Sequence, residues 1–135
     1  HIISAWNPGE LHLMSLPPCH AFSQFFISNK KLSCQLYQRS CDMFLGVPFN
    51  IASYSLLVHI IARECSLEVG EFIHVLGDYH IYHEHFNQIQ TQLARIPKKL
   101  PEIKFPTKNI FEYKLDDFVL IDYNPHPAIK AKMNV

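Results

Sequence analysis

Stretches of alternating and continuous apolar residues predict strands and turns over the first third of the chain. Residues 1–6 fit a strand, and residues 7–18, which contain three prolines and a glycine, fit a loop. Two stretches rich in aromatic and β-compatible residues, 21–28 and 32–40, are joined by the polar segment 29–31. Two strands separated by a short polar turn indicate a β-hairpin.

The rest of the chain mixes helical and extended patterns. Residues 49–64 are largely apolar and lack proline and glycine, which predicts a helix that is apolar on most faces and therefore buried. Residues 71–82 and 118–123 fit strands, with Gly77–Asp78 as a candidate break in the first, and residues 84–95 fit an amphipathic helix. Because strands and helices do not alternate regularly, we expect an α+β fold with a mixed sheet flanked by helices.

Composition narrows the class of protein. The 135 residues are 48% hydrophobic and 18% charged, which is typical of one ordered globular domain. Basic and acidic residues number 12 each, so the chain lacks the positive charge of a non-specific nucleic-acid binder. The four cysteines form no Cys-x-x-Cys pair, and we expect reduced thiols in a cytoplasmic protein. Neither a membrane-spanning segment nor a signal peptide is predicted.

Cys19 is the strongest candidate nucleophile. It follows Pro17–Pro18 and precedes a predicted strand, a position that holds a side chain rigidly near solvent. Arg39 ends the paired strand, so we expect it close to Cys19, where a cation favours the reactive thiolate. The alternative is that a cysteine is a small buried hydrophobe, and we keep that interpretation for Cys34 and Cys65.

Polar residues after the hairpin suit an anionic, hydrogen-bonding ligand. Arg39 and Ser40 offer a guanidinium and a hydroxyl that suit a phosphate, although a surface salt bridge would also explain the arginine. Asp42 and Asn50 flank the entry to the apolar helix. Asn50 is either a helix cap or a group that both donates and accepts along the edge of a uracil-like ring.

A dense group of histidines gives two further hypotheses. His80 and Tyr82 alternate on a predicted strand, so both can reach sugar hydroxyls from one face. Alternatively, His80 with Asp78, His83 and His85 forms a candidate metal site, although the spacing matches no standard zinc signature. We therefore expect no metal.

Several phrases of the sequence, in this order, resemble those of the thymidylate synthases. The active-site phrase Pro-Cys-His is present at 18–20, and the longest signature covers 35–54. The Gly-Asp-x-His-x-Tyr phrase is present at 77–82, and the closing Tyr-x-Pro-His-Pro-x-Ile-Lys phrase at 123–130. The resemblance covers the whole chain, is bacterial-like in form and corresponds to the C-terminal half of the family's catalytic domain.

The resemblance implies a methyltransferase that converts dUMP to dTMP with methylenetetrahydrofolate as donor of the one-carbon unit and of hydride. Cys19 would add to carbon 6 of the uracil ring, and no metal would take part. The residues implied for dUMP are Arg39, Ser40, Cys41, Asp42, Asn50, His80 and Tyr82. The residues implied for the folate are Asp42, Leu45, Gly46, Phe49 and Asn134. The residues implied in supporting positions are His20 and Gln38.

The resemblance also implies a partner and a missing half. The family forms a homodimer through a face of its sheet, and arginines of the partner complete the phosphate site. We expect residues 1–135 to be the C-terminal part of a single domain and to be inactive alone. Asn134 and Val135 would close over the site as a lid. Tyr79 and Asn134 depart from the family's usual residues, so the position of His80 and the lid contact are open.

Three rival functions follow from the same residues. A pyrimidine hydroxymethylase of the same fold typically has aspartate at the base-reading position when it acts on cytosine, so Asn50 favours uracil. A non-catalytic module that folds, dimerises or binds a partner or RNA is the second rival. A cysteine- and histidine-based metal protein is the third.

Overall fold

The computed structural model describes residues 1–133 and divides into two compact units, residues 1–82 and the residues from His83 onward. The first unit contains a four-stranded sheet and one long helix. Its elements are β1 (Ile2–Ser4), β2 (His20–Ser28), β3 (Lys31–Asp42), α1 (Gly46–Glu64) and β4 (Glu68–His80). The second unit holds a short helix and a two-stranded sheet, namely α2 (Phe86–Leu93), β5 (Glu102–Lys104) and β6 (Val119–Ile121).

The larger sheet is mixed, which confirms the predicted α+β class. Its strands lie in the order β1-β2-β3-β4. The pairs β1–β2 and β2–β3 are antiparallel, whereas β3 and β4 are parallel. Helix α1 is the crossover that a parallel pair requires.

The predicted hairpin is confirmed. Ser28 pairs with Lys31, so Asn29 and Lys30 form a two-residue turn. Both turn residues have positive φ, 49° and 60°, which is the backbone that a tight hairpin turn of this length favours. Asparagine tolerates this left-handed conformation better than most residues do, which explains the polar turn.

One face of the sheet packs against α1 and forms the core. Its buried members are Phe25, Leu32, Cys34, Val58 and Ala62. The prediction that α1 is buried on most faces was too broad, because only Val47, Val58 and Ala62 are buried along it. A helix on one side of a sheet buries only the stripe that faces the strands.

The opposite face of the sheet leaves apolar side chains exposed. Phe26, Tyr37, Ile73 and Val75 project from three neighbouring strands, where Tyr37 pairs with Val75 in the β3–β4 register. We call this surface the open sheet face. Apolar side chains clustered on one exposed face of a sheet mark an interaction surface more often than isolated exposed residues do.

Three element predictions need correction. Strand β4 runs through Gly77 without a break, because Gly77 lets the backbone approach β3 closely. The helix predicted over 84–95 begins as a 3₁₀ turn at His83–His85 and is α-helical only from Phe86 to Leu93. The predicted loop over 7–18 contains the 3₁₀ helix Pro8–Leu13.

The short strand β5 was not predicted from the sequence. Its residues, Glu102–Lys104, are too few to show an alternating pattern, and their pairing with β6 comes from a distant part of the chain.

Candidate active site

The register of the hairpin places Cys19 beside Arg39. The backbone N–H of Arg39 donates to the Cys19 carbonyl at 2.9 Å. The next pair in the β2–β3 register is His20 with Gln38. Arg39 Nη2 lies 3.8 Å from Cys19 Sγ. The predicted proximity of Cys19 and Arg39 is therefore confirmed.

The Arg39 side chain is held on several sides. Its Nε donates to the Pro18 carbonyl at 3.1 Å and its Nη2 to the Pro17 carbonyl at 2.5 Å. The guanidinium carbon lies 5.7 Å from the centre of the Trp6 ring, within range of a cation–π contact. Among the ion pairs within residues 1–133, none includes Arg39, so the salt-bridge alternative is not supported. The Nη1 N–H groups make none of these contacts.

The other cysteines near the sheet are poor nucleophiles. Cys34 and Cys41 are both fully buried, and burial raises the pKa of each thiol. The Cys41 thiol also donates to the Gln38 carbonyl at 3.3 Å. Cys65 is exposed but directly follows α1, outside the hairpin. Among the cysteines within residues 1–133, Cys19 is thus the one that is both solvent-accessible and adjacent to Arg39.

Asp42 shapes the loop that leads into α1. One of its carboxylate oxygens, Oδ1, accepts from the backbone N–H groups of Phe44 at 3.1 Å and Leu45 at 3.4 Å. Gly46 then begins α1, and Phe49 on its first turn is 74% exposed. The loop and the first turn of α1 therefore carry a fixed carboxylate and an exposed aromatic residue close together in sequence.

Asn50 belongs to a hydrogen-bond chain and is not a helix cap. Helix α1 begins at Gly46, so Asn50 lies inside the helix and the capping alternative was wrong. Gln38 Nε2 donates to Asn50 Oδ1 at 2.9 Å and to the Ser40 carbonyl at 2.9 Å. At its other end, Gln38 Oε1 lies 2.8 Å from His74 Nε2.

Aromatic rings pack beside this hydrogen-bond chain. His20 meets Tyr54 edge-on, Tyr54 stacks on Phe72, and Phe72 contacts His74. Burial, with a smaller contribution from nearby His20, lowers the pKa of His74 and favours its neutral form. The supporting positions of His20 and Gln38 are therefore connected to each other through His74.

The carboxyl end of β4 brings His80 to the same edge of the sheet. Asp42 pairs with His80 in the parallel register, and the Met43 N–H donates to the His80 carbonyl at 3.0 Å. The rings of His80 and Tyr82 meet edge-on with centroids 5.1 Å apart. Asp42, His80 and Tyr82 therefore lie at the end of the β3–β4 pair.

A family model described as thymidylate synthase matches residues 1–135, the whole chain. The chain belongs to the thymidylate synthase family. This family comprises methyltransferases of dTMP biosynthesis that use dUMP and methylenetetrahydrofolate. The family assignment agrees with a site built around one accessible cysteine and a fixed arginine.

Several of the residues expected to bind the nucleotide lie on one strand. Residues 38–42 of β3 carry Arg39, which faces Cys19, and Gln38, which holds Asn50. Ser40 and Asp42 lie on the same stretch. Cys41, in contrast, buries its side chain completely, so that only its backbone is available to a ligand.

The alternative metal site receives no geometric support within the described part of the chain. There, no three histidine, cysteine, aspartate or glutamate side chains gather closely enough to hold a metal ion. Asp78 faces His80 at 3.9 Å, whereas His85, in the second unit, donates from Nε2 to the Lys132 carbonyl at 2.8 Å.

The structure describes Tyr79, one of the two departures from the family pattern, but not the other, Asn134. Tyr79 is 69% exposed, and His80 keeps its contact with Tyr82. Asn134 and Val135, the residues expected to form a lid and a folate contact, lie outside the described residues.

The sequence analysis missed Trp6 and His74 as parts of this region. Trp6 was placed in a predicted strand that in fact ends at Ser4. The lone indole of the chain, just outside a strand and upstream of the Pro-Pro-Cys phrase, was the available signal for Trp6. His74 alternates with Phe72 on β4, and nothing in that pattern points to Gln38, which lies 36 residues earlier.

Within residues 1–133, no helix has both the length and the apolar character needed to cross a bilayer.

Proposed function

We propose that this chain carries the nucleotide site of a thymidylate synthase, which converts dUMP to dTMP through a covalent bond to Cys19. The observation that carries the proposal is the Cys19 thiol lying 3.8 Å from the Arg39 guanidinium, which the carbonyls of Pro17 and Pro18 hold in place. A fixed cation beside an accessible thiol supports a nucleophilic role.

The nucleotide would lie along the end of β3. Arg39 and Ser40 would bind the phosphate, since a guanidinium and a hydroxyl provide several donors to its oxygens. His80 and Tyr82, whose rings meet at the end of β4, would hold the ribose hydroxyl. Asn50 would donate to the uracil carbonyl at carbon 4 and accept from the ring N3–H.

The chemistry assigned to these residues is a nucleophilic addition followed by elimination. The Cys19 thiolate adds to carbon 6 of the uracil, and the electron pair of the 5,6 double bond moves towards the carbon 4 carbonyl. The donor amide of Asn50 stabilises the enolate oxygen that forms there. Carbon 5 would take up the one-carbon unit and lose its proton as the folate leaves. The hydride that the co-substrate supplies would then reduce the resulting methylene group to the methyl group as the Cys19 sulfur leaves carbon 6, which releases dTMP.

The folate would lie against the loop that enters α1. The exposed ring of Phe49 offers a flat apolar surface near Leu45 and Gly46, and the Asp42 carboxylate is fixed by two backbone N–H groups. These groups fit a planar pterin that carries polar edges. Methylenetetrahydrofolate, when bound, supplies the one-carbon unit and the hydride, and the products are dTMP and dihydrofolate.

The proposal includes a homodimer in the cytoplasm. The open sheet face, with Phe26, Tyr37, Ile73 and Val75, is the surface that would pack against a second copy. Arginines of the partner subunit would complete the phosphate site. Residues 1–135 would then supply only part of the active site and would be inactive alone.

The proposal is tested with Cys19→Ser in the full-length protein. Formation of dTMP should fall by several orders of magnitude, because a serine hydroxyl is a far weaker nucleophile than a thiolate at neutral pH. The matched control is Cys65→Ser, which makes the same change at the other exposed cysteine and should keep wild-type activity.

A second measurement locates the covalent bond. Mass spectrometry after incubation with fluoro-dUMP and the folate should find the adduct on Cys19. It should be absent from Cys41, because that buried thiol has a raised pKa. Near-normal dTMP formation by Cys19→Ser, or an adduct on another cysteine, would refute the assignment.

A further inference from the structure

His74 lies at the end of the hydrogen-bond chain that reaches Asn50. Its Nε2 is 2.8 Å from Gln38 Oε1, and Gln38 Nε2 is 2.9 Å from Asn50 Oδ1. Three side chains from β4, β3 and α1 are therefore joined in series. Gln38 is only 3% exposed, so its hydrogen bonds to protein groups are not readily replaced by water.

The direction of every hydrogen bond in this chain follows from the Ser40 carbonyl. A carbonyl oxygen can only accept, so the group of Gln38 that faces it at 2.9 Å is the Nε2 donor. The same nitrogen then donates its second hydrogen to Asn50, which turns the Oδ1 of Asn50 towards Gln38. Gln38 Oε1 faces the other way and needs a donor, which His74 Nε2 supplies.

The surroundings of His74 favour the required donor. Burial, aided by nearby His20, lowers the pKa of His74 and favours the neutral ring, which carries one N–H. Contact with the Phe72 ring holds the imidazole in place. A neutral ring whose Nε2 bears the hydrogen satisfies Gln38 Oε1 without placing a charge beside the core.

We propose that His74 is a positioning residue for pyrimidine choice, which holds Gln38 and thereby the amide of Asn50 in the orientation that pairs with uracil and rejects cytosine. This inference rests on the proposed function, since it takes Asn50 as the group that meets the pyrimidine. Nothing requires His74 to touch the nucleotide.

The fixed orientation of the Asn50 amide determines which pyrimidine it can pair with. One lone pair of Asn50 Oδ1 is used by Gln38, the other is available to the N3–H of uracil, and Nδ2 donates to the carbonyl at carbon 4. Cytosine presents an amine and an unprotonated nitrogen at these places. Asn50 would have to rotate its amide to accept cytosine, and rotation would set its Nδ2 donor against the Nε2 donor of Gln38.

The test compares two substitutions of His74 in the full-length protein. His74→Phe keeps a ring against Phe72 but removes the donor, so the ratio of kcat/KM for dUMP to that for dCMP should fall by about tenfold. His74→Gln restores an N–H donor at a similar distance along the side chain and should recover most of the ratio. The matched control, His59→Phe, makes the same change at another partly buried histidine, on α1, and should leave the ratio unchanged.

Two further measurements separate positioning from a purely structural effect. In an Asn50→Ala background, His74→Phe should no longer change the ratio, since the effect acts through Asn50. Nitrogen NMR of labelled histidine should show the Nε2–H tautomer at His74.

An equal loss of kcat/KM for both nucleotides in His74→Phe, an effect that persists without Asn50, or the Nδ1–H tautomer would each overturn the inference. Absence of dUMP turnover in the wild type would overturn the proposed function and this inference together. Normal turnover with an unchanged ratio in His74→Phe would overturn the inference alone.

Discussion

The orientation of the Asn50 amide depends on the residues around it. By type, an asparagine can present its donor or its acceptor to a base equally well. In the structure, Gln38 donates to Oδ1 at 2.9 Å and removes that freedom. The same stretch of β3 holds Arg39 beside Cys19, so the proposed base-reading residue and the proposed nucleophile both contact adjacent positions of one strand.

At this scale we predict that Asn50→Asp in the full-length protein lowers dUMP turnover and raises relative activity on dCMP. The substitution removes the Nδ2 donor, and a protonated acid can donate to the ring nitrogen of cytosine while accepting from its amine. Mismatched buried polar groups can change selectivity by about 10⁴-fold. The measurement is the kcat/KM ratio for the two nucleotides.

The matched control for this prediction is Asn87→Asp, which makes the same amide-to-carboxylate change at an exposed position on α2. It should leave the ratio as in the wild type. If Asn50→Asp also leaves the ratio unchanged, another residue reads the pyrimidine.

At the scale of the elements, the parallel pair β3–β4 determines where the site residues stand. Its register aligns Ser40 with Asp78 and Asp42 with His80, so polar residues of both strands gather at one sheet edge. Arg39 lies opposite Gly77, where the strands approach too closely for a side chain. A Cβ at Gly77 would lie 2.9 Å from the Arg39 carbonyl oxygen and 3.0 Å from Tyr37 Oη.

We therefore predict that Gly77→Ala destabilises the protein by about 1–3 kcal/mol, as overpacking against backbone atoms does. Because the displaced segment contains Arg39, dTMP formation should fall as well. Urea unfolding gives the stability change, and the activity is measured well below the unfolding midpoint.

Gly9→Ala serves as the control for this prediction, because the nearest atom to its added Cβ, Asn7 Oδ1, would be 3.6 Å away, an ordinary contact. Wild-type stability and activity in Gly77→Ala would show that the strands can separate without affecting the site.

At the scale of the whole molecule, the sheet has one covered and one uncovered face. Helix α1 covers the face with Phe25, Leu32 and Cys34, whereas Phe26 and Ile73 remain exposed on the other. An apolar face of this kind is stable in water when a second surface covers it, which supports the proposed homodimer.

We predict that Ile73→Lys weakens self-association of the full-length protein by at least about tenfold in Kd, because a lysine buried in an apolar interface lacks a partner. Analytical ultracentrifugation measures the association. Leu93→Lys, which makes a comparable change at an exposed position on α2, should associate as the wild type does. Unchanged association in Ile73→Lys would place any dimer contact elsewhere.

Local pattern and residue type alone predicted a large part of this protein. The hairpin, the helix and the main strands follow from patterns of apolar and polar residues over short windows, and the proximity of Cys19 and Arg39 follows from the hairpin. Such features depend on neighbours in sequence or on paired strands joined by a short turn, so the sequence carries them directly.

Only the tertiary structure decided the extent of burial and the orientation of the polar groups. Helix α1 buries one stripe because a sheet covers one side of it, which its nearly uniform apolar composition does not reveal. The contacts of Gln38 with Asn50 and His74 span 12 and 36 residues and depend on how β3, β4 and α1 pack. Hydrogen bonds are short and directional, so which residues share them is determined by the packed fold and not by the local pattern.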